Sequence, residues 1–128
     1  RPFNGIILAN EVLDAMPVHR FIQSQNQVLE SLITLDAQDN LQEVFKPSQN
    51  AVLLNYVTQQ LPEQTTDYLS EANLFIDSWL HNIYQILNQG LVLLIDYGFP
   101  RHEYYHPDRS QGTLMCHYQH KAHTNPLI

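Results

Sequence analysis

Residues 5–17 read Gly-Ile-Ile-Leu-Ala-Asn-Glu-Val-Leu-Asp-Ala-Met-Pro, an apolar run that stops abruptly at Asn10 and Glu11. An unbroken apolar run that ends in polar residues is typical of a parallel strand buried on both faces. A second run, Leu91–Ile95, has the same character and stops at Asp96. The two stretches predict neighbouring parallel strands in an α/β sheet.

Polar residues follow both predicted strands. In open α/β sheets, ligands bind beyond the carboxyl ends of the strands. The order of the chain therefore predicts one polar edge of the sheet, built from Asn10, Glu11, Asp14, Asp96 and Tyr97. We expect the functional site at this edge.

Composition limits the class of protein. The chain has 128 residues, of which 44% are hydrophobic, enough for one domain with a packed core. Its net charge of −7 argues against a nucleic-acid partner and suits a cationic one, such as an arginine or lysine side chain. No apolar run approaches the roughly 20 residues that span a bilayer. The single cysteine, Cys116, excludes an internal disulfide and fits a reducing compartment.

The chain enters its first predicted strand almost at once, at Gly5, and ends without an obvious closing element. A buried parallel strand needs neighbours on both sides. We therefore expect residues 1–128 to be a fragment of a single larger domain, with earlier strands lying upstream.

The segment 18–46 changes character and predicts an antiparallel meander inserted in the α/β core. Partial alternation of apolar and polar residues predicts strands over 19–25 and 27–35, and a third over 41–45. Turns are expected at Gln25-Asn26 and over 36–40.

Helical spacing predicts two helices. The first covers roughly 49–60 and ends at Leu61-Pro62. The second covers 71–88, with Ser70 as N-cap and Gly90 as C-cap glycine, and leads into the second buried strand. A short strand over 65–70, a polar aromatic loop over 99–111, a helical turn over 12–17 and a strand over 112–120 complete the prediction.

Glu11 and Asp14 are the first candidates for chemistry. They lie three residues apart, so a helical turn would project both carboxylates to one side, where they could hold a guanidinium by bidentate hydrogen bonds. The alternative is structural, with Asp14 capping a short helix and Glu11 in a salt bridge. Asp96 likewise either contacts a ligand or accepts hydrogen bonds from loop backbone N–H groups.

The loop after the second strand offers candidate substrate contacts, Tyr97 and Arg109. Together with its tyrosines and Arg101, it could order over a ligand as a lid, or form a solvated loop anchored by aromatic rings.

The histidines and Cys116 open a metal or nucleophile interpretation. On a strand, His117 and His120 would point to opposite faces, so we expect no metal and histidines at the surface or in hydrogen bonds. Cys116 fits a small, partly buried residue better than a nucleophile. The four glycines lie far apart, and no Gly-rich cofactor loop, GxSxG or Walker pattern is present.

Three motifs in order resemble the MidA-type family of S-adenosylmethionine-dependent methyltransferases. They are Asn10-Glu11-Val12-Leu13-Asp14-Ala15-Met16-Pro17-Val18, then Leu94-Ile95-Asp96-Tyr97-Gly98, then Arg109-Ser110-Gln111-Gly112-Thr113-Leu114-Met115-Cys116-His117-Tyr118 with His120 after it. The family includes bacterial proteins and the mitochondrial arginine methyltransferase that assists assembly of respiratory complex I. The resemblance covers about residues 5–126.

The resemblance implies a Rossmann-like class I methyltransferase sheet with a β-meander insertion. It implies that Asn10 and Glu11 lie beside the methyl donor and that Glu11 or Asp14 orients a protein arginine. We therefore expect Asn10, Glu11 and Asp96 to bind S-adenosylmethionine, and Glu11 and Asp14 to be catalytic residues. The Gly-rich loop of such folds would lie upstream of Arg1, so the fragment alone is expected to be inactive. The implied location is the bacterial cytoplasm or the mitochondrial matrix.

Two other functions stay open. One is a non-enzymatic assembly or interaction module of respiratory complex biogenesis, which would bind a partner through the meander and the acidic surface. The other is a hydrolase or metal enzyme that uses the histidines. The substrate protein, the number of methyl groups added and the oligomeric state are not predicted.

Overall fold

A computed structural model describes residues 1–25, 27–61 and 67–127. The elements are, in chain order, β1 (Phe3–Asn10), β2 (His19–Ser24), β3 (Gln27–Leu35), β4 (Leu41–Pro47), α1 (Ala51–Gln60), β5 (Tyr68–Ala72), α2 (Ile76–Ile86), β6 (Leu87–Ile95), α3 (Arg101–Tyr104), β7 (Cys116–Tyr118) and β8 (Lys121–His123). No helix in these ranges is long and apolar enough to span a membrane.

The two apolar runs form the predicted parallel pair. β1 pairs with β6 in parallel, with Gly5 opposite Gly90 and Asn10 opposite Ile95. Both strands therefore end at the same edge, as expected. α2 contacts β6, and Ala9 is buried in the sheet.

The opposite face of this pair is open. Its five apolar side chains are 45–72% exposed, namely Ile6, Leu8, Leu91, Leu93 and Ile95. They share one face because alternate residues of a strand point the same way and the register joins Ile6 to Leu91. Parallel sheets are normally covered on both faces, so this surface has the composition of a buried one.

The predicted meander is present and gains a fourth strand. β2, β3 and β4 pair antiparallel, and β5 adds beside β2, giving the order β4-β3-β2-β5. The turn over 36–40 is held by Asp36, whose Oδ1 accepts the N–H groups of Gln38 and Asn40 at 2.8 and 2.9 Å. Whether the meander is an insertion stays a prediction, and Asn26 of the other expected turn lies outside the described residues.

The core lies between this sheet, α1 and the loop after β6. Its buried members are Phe21, Leu53, Val57, Leu61, Tyr68, Ala72 and Tyr105. Asn50 caps α1, because its Oδ1 accepts the N–H groups of Val52 and Leu53. The helix ends at Gln60, close to the predicted end, and Pro62 lies outside the described residues.

The predicted start of the second helix is wrong. Ser70 and Glu71 belong to β5, opposite Phe21 and Arg20 of β2, and both are buried. α2 begins five residues later, after Asn73, whose Oδ1 accepts the N–H groups of Phe75 and Ile76 at the start of the helix. The expected strand over 65–70 is accordingly shifted towards the C-terminus, and residues 65 and 66 lie outside the described ranges.

Two further expectations are corrected. Gly90 is not a helix cap, since α2 ends at Ile86 and Gly90 lies inside β6 opposite Gly5. The strand expected over 112–120 is reduced to β7, because Gln119 and His120 adopt positive φ and turn the chain into β8. In the segment 12–17, where a helical turn was expected, the chain forms one turn, in which the Met16 N–H donates to the Leu13 carbonyl at 3.2 Å.

Gly90 is required by close packing of the two parallel strands. A Cβ at this position would lie 1.8 Å from the carbonyl oxygen of Gly5. We predict that Gly90→Ala in the full-length protein lowers the free energy of unfolding by about 1–3 kcal/mol or more. Gly98→Ala is the matched control, since its Cβ would meet no atom within 4 Å and should change stability by no more than about 0.5 kcal/mol. Urea denaturation measures both, and equal stabilities of the two variants would contradict this packing.

Candidate functional site

Asp96 joins the ends of the two parallel strands. Its Oδ2 accepts the backbone N–H groups of Val12, Leu13 and Asp14 at 3.1, 2.7 and 3.3 Å. Its Oδ1 accepts the N–H of Tyr97 at 2.8 Å. The carboxylate at the end of β6 therefore fixes the turn that follows β1.

The pKa of Asp96 reflects these contacts. Partial desolvation opposes the charged form, but the four backbone N–H groups outweigh it and lower the pKa below its ordinary value. Asp96 thus satisfies backbone N–H groups, the structural alternative left open by the sequence. Its contact with a cofactor stays a prediction.

Asn10 and Glu11 lie at the carboxyl end of β1 with exposed side chains. Glu11 continues the ladder, because its N–H donates to the Ile95 carbonyl at 2.8 Å, and its φ of 51° turns the chain away from the sheet. An exposed amide and carboxylate beside an open sheet suit the hydroxyl and ammonium groups of a nucleoside-amino acid cofactor. These two residues therefore fit the expected cofactor role.

A pocket of about 740 Å³ opens at the same edge, and we call it the edge pocket. Its wall includes Leu13 and Asp14 from the turn after β1, and Tyr97 and Gly98 from the loop after β6. Asp14 and Tyr97, both predicted site residues, thus meet in one cavity. Asn10, Glu11 and Asp96 lie at the same strand ends but are not part of its wall.

The edge pocket is rich in aromatic rings from three segments, namely Tyr56, Tyr97, Phe99, Tyr104 and Tyr105. The hydroxyls of Tyr56 and Tyr105 lie 2.8 Å apart, and the rings of Tyr104 and Tyr105 pack edge to face at 4.9 Å. Burial raises the pKa of both Tyr104 and Tyr105, which keeps these hydroxyls neutral.

The arginines of this loop have structural partners. Arg101 lines the pocket, but its Nε donates to the Gln60 carbonyl at 3.0 Å and its Nη2 to the Gln59 carbonyl at 2.9 Å. This guanidinium therefore serves the C-terminal end of α1. The Arg109 guanidinium lies 3.8 Å from the centre of the Phe99 ring. Tyr97 is part of the pocket wall and Arg109 is not, so the structure does not bring these two predicted substrate-binding residues together in the pocket.

Sequence reasoning missed several polar members of the pocket wall, among them Tyr56, Gln60, Glu71 and Asn73. Glu71 was expected at the start of the second helix, and Tyr56 and Gln60 lie in the first predicted helix, where nothing marked them as site residues. No local signal places Glu71 on a strand, because Tyr68-Leu69-Ser70-Glu71-Ala72 lacks apolar–polar alternation.

The histidines were considered above as metal ligands. Within residues 1–25, 27–61 and 67–127, no group of three or more His, Cys, Asp or Glu side chains is arranged to hold a metal. His117 lines the edge pocket and Cys116 is half-buried on β7.

Comparison with known proteins gives a consistent answer. The family model described as "putative S-adenosyl-L-methionine-dependent methyltransferase" matches residues 1–128. A Burkholderia thailandensis crystal structure, described as a "likely methyl transferase" bound to S-adenosyl-homocysteine, is similar at 34% identity and a TM-score of 0.86. A second crystal structure from the same organism, of an uncharacterized protein in the same superfamily as the first, is similar at 34% identity and a TM-score of 0.87. A search of curated proteins finds no match.

The likeness covers 99% of this chain in both cases, but only 32% and 33% of the two solved chains. The chain thus spans about a third of the length of these relatives. The similarity confirms the expected Rossmann-like class I methyltransferase fold. It also confirms S-adenosylmethionine as the cofactor of the family.

The anchor at Asp96 predicts a pH-dependent stability. Folding lowers the pKa of Asp96 below its value in the unfolded chain. The ionised carboxylate therefore contributes its full share to the free energy of unfolding above the unfolded-state pKa, and this share is lost as the pH falls through the folded-state pKa. We predict that Asp96→Asn destabilises the full-length protein at pH 7, and that the difference from wild type narrows below about pH 4. Urea denaturation at several pH values measures it. A difference independent of pH would contradict the assigned role of the charge.

Proposed function

This chain belongs to that family of S-adenosyl-L-methionine-dependent methyltransferases, and we propose that it forms part of an enzyme that methylates a protein arginine, with residues for both the donor and the acceptor. The observation that carries the proposal is the edge pocket, which places Asp14 among aromatic rings at the carboxyl ends of β1 and β6. Asn10 and Glu11 lie at the end of β1, outside the pocket wall and next to the turn that Asp96 holds. Such an edge suits a donor and an acceptor that meet at the turn.

The lining of the edge pocket favours a cation. Asp14 provides a carboxylate, and the aromatic rings provide the negative π-faces that attract guanidinium or ammonium groups. The guanidinium of Arg101, which would repel a cation, is engaged by two carbonyls of α1. The net charge of −7 adds attraction at longer range.

Methyl transfer to nitrogen needs alignment more than acid–base strength. S-adenosylmethionine supplies an electrophilic methyl group on a sulfonium sulfur. In this proposal Asn10 and Glu11 hold the polar groups of the cofactor, and Asp14 orients the guanidinium. Glu11, next to the turn, also helps to orient the acceptor in this proposal. The aromatic wall of the pocket excludes water from the acceptor.

The intact methyltransferase, on this proposal, includes polypeptide beyond these 128 residues. The open apolar face of β1 and β6 supports it, since the face has the composition of a covered one. The length of the two solved relatives supports it as well. A Gly-rich cofactor loop would belong to that further part, so we propose that residues 1–128 alone do not catalyse transfer. MidA-type membership and a place in the bacterial cytoplasm or mitochondrial matrix remain part of the same hypothesis.

A second candidate function is the assembly module. The distal half of the β3–β4 hairpin extends beyond β2 and exposes Leu32, Ile33, Leu35 and Leu41, each 45–57% accessible. Exposed apolar side chains of this kind favour contact with a partner protein. The two functions are separable, because the hairpin residues are not part of the edge pocket wall.

The arginine proposal is tested at Asp14. Asp14→Asn in the full-length protein keeps the shape of the side chain and removes the charge that would hold a guanidinium. We predict a loss of transfer to arginine-containing peptides of about 10²-fold in kcat/KM, carried mainly by the peptide KM. Transfer of a radiolabelled methyl group from S-adenosylmethionine measures it.

Asp39→Asn is the matched control. Asp39 is exposed at the tip of the β3–β4 turn, and its φ of 59° is one that asparagine tolerates. It should keep full transfer activity. If Asp14→Asn methylates arginine peptides at the wild-type rate, the role assigned to Asp14 is overturned. If the wild-type protein methylates lysine peptides and not arginine peptides, the arginine proposal is overturned and lysine takes its place.

A further inference from the structure

The segment 110–115, which we call the strap, runs along the outer edge of β5 and closes one wall of the edge pocket. The Leu69 N–H donates to the Ser110 carbonyl at 3.0 Å, and Leu69 bridges Gln111 in parallel. Further along, Thr113, Leu114 and Met115 enter the pocket wall. The strap has little regular structure of its own, so something outside it must fix its path.

Glu71 is the group that fixes it. The residue is 4% exposed in β5, and its carboxylate accepts the backbone N–H of Thr113 at 2.8 Å and that of Leu114 at 3.4 Å. The Thr113 hydroxyl donates to the same carboxylate at 3.2 Å. A buried carboxylate that accepts backbone N–H groups makes strong, directional contacts.

The strap is shaped to receive this carboxylate. Gly112 has a φ of 75°, and a Cβ there would lie 2.4 Å from the Oε1 of Glu71. Only glycine lets the backbone pass so close in this conformation. On the other side, the Thr113 hydroxyl lies 3.2 Å from the Tyr104 hydroxyl, which connects the strap to the aromatic wall.

The charge of Glu71 has a second partner in β2. The Nε of Arg20 lies 3.7 Å from the Oε1 of Glu71, and its Nη1 donates to both carboxylate oxygens of Glu43 at 2.6 and 2.8 Å. Arg20 thus joins two carboxylates of the meander. Of the two, Glu71 alone contacts the strap and lines the edge pocket.

From this geometry we infer that Glu71 is a positioning residue for the acceptor: it holds the strap so that Thr113, Leu114 and Met115 form the wall against which the acceptor side chain packs. Glu71 acts through the strap and not on the reacting atoms. The inference rests on the proposed methyltransferase function for its kinetic consequence, whereas the anchoring itself does not depend on it.

The experiment compares Glu71→Gln with Glu43→Gln in the full-length protein. Glu43→Gln is the matched control, because it perturbs Arg20 in the same network but leaves the strap contacts intact. Hydrogen exchange should show the amides of Thr113 and Leu114 exchanging at least about tenfold faster in Glu71→Gln and unchanged in Glu43→Gln. Gly112→Ala provides a second variant, which separates strap and carboxylate without changing Glu71, and should give the same result.

The kinetic readout separates positioning from mere stability. Glu71→Gln and Gly112→Ala should raise the acceptor KM about tenfold, while kcat and the KM for S-adenosylmethionine stay within about twofold. Unchanged strap exchange, or equal effects of Glu71→Gln and Glu43→Gln, would overturn the inference. If the strap amides exchange faster in Glu71→Gln but the wild-type protein transfers no methyl group, the anchoring role of Glu71 is supported and the proposed methyltransferase function is refuted.

Discussion

The carboxylate of Asp96 is the contact on which the candidate site depends. It lies at the end of β6 and accepts three backbone N–H groups from the turn that follows β1. Parallel pairing alone would bring the two strand ends together, but it would leave the path of the turn undetermined. With the turn fixed, Asp14 lies in the wall of the edge pocket, while Asn10 and Glu11 lie just before it at the end of β1. The anchored turn thereby connects the two proposed binding sites.

β5 connects this edge to the meander. Through Ser70 and Glu71 it pairs with β2. Asn73, just after the strand, accepts the Ile76 N–H at the start of α2, and α2 leads directly into β6. The Nδ2 of Asn73 also lies 3.4 Å from the Met16 sulfur in the turn after β1. Short as it is, β5 therefore holds the sheet, the helix and the strap in one arrangement, and its side chains form part of the pocket wall.

Local patterns predicted the parts of the fold that local forces determine. The two parallel strands follow from unbroken apolar runs, α1 follows from helical spacing, and the turn at Asp36 follows from its own side chain. β5 could not be predicted in the same way, because Ser70 and Glu71 resemble a helix start until β2 is placed beside them. The edge pocket was missed for a related reason, since Tyr56, Glu71 and Tyr105 come from segments that only the folded chain brings together. The polar edge itself was predicted, because strand ends alone define it.

Calorimetric titration of S-adenosylmethionine into the full-length protein tests the central claim, that the carboxyl edge of β1 and β6 holds the methyl donor beside the edge pocket. The account predicts one molecule bound per chain, with binding weakened about tenfold or more by Glu11→Gln and unchanged by Asp14→Asn. An absence of binding to the wild-type protein, or binding that is insensitive to Glu11→Gln and lost in Asp14→Asn, would contradict it.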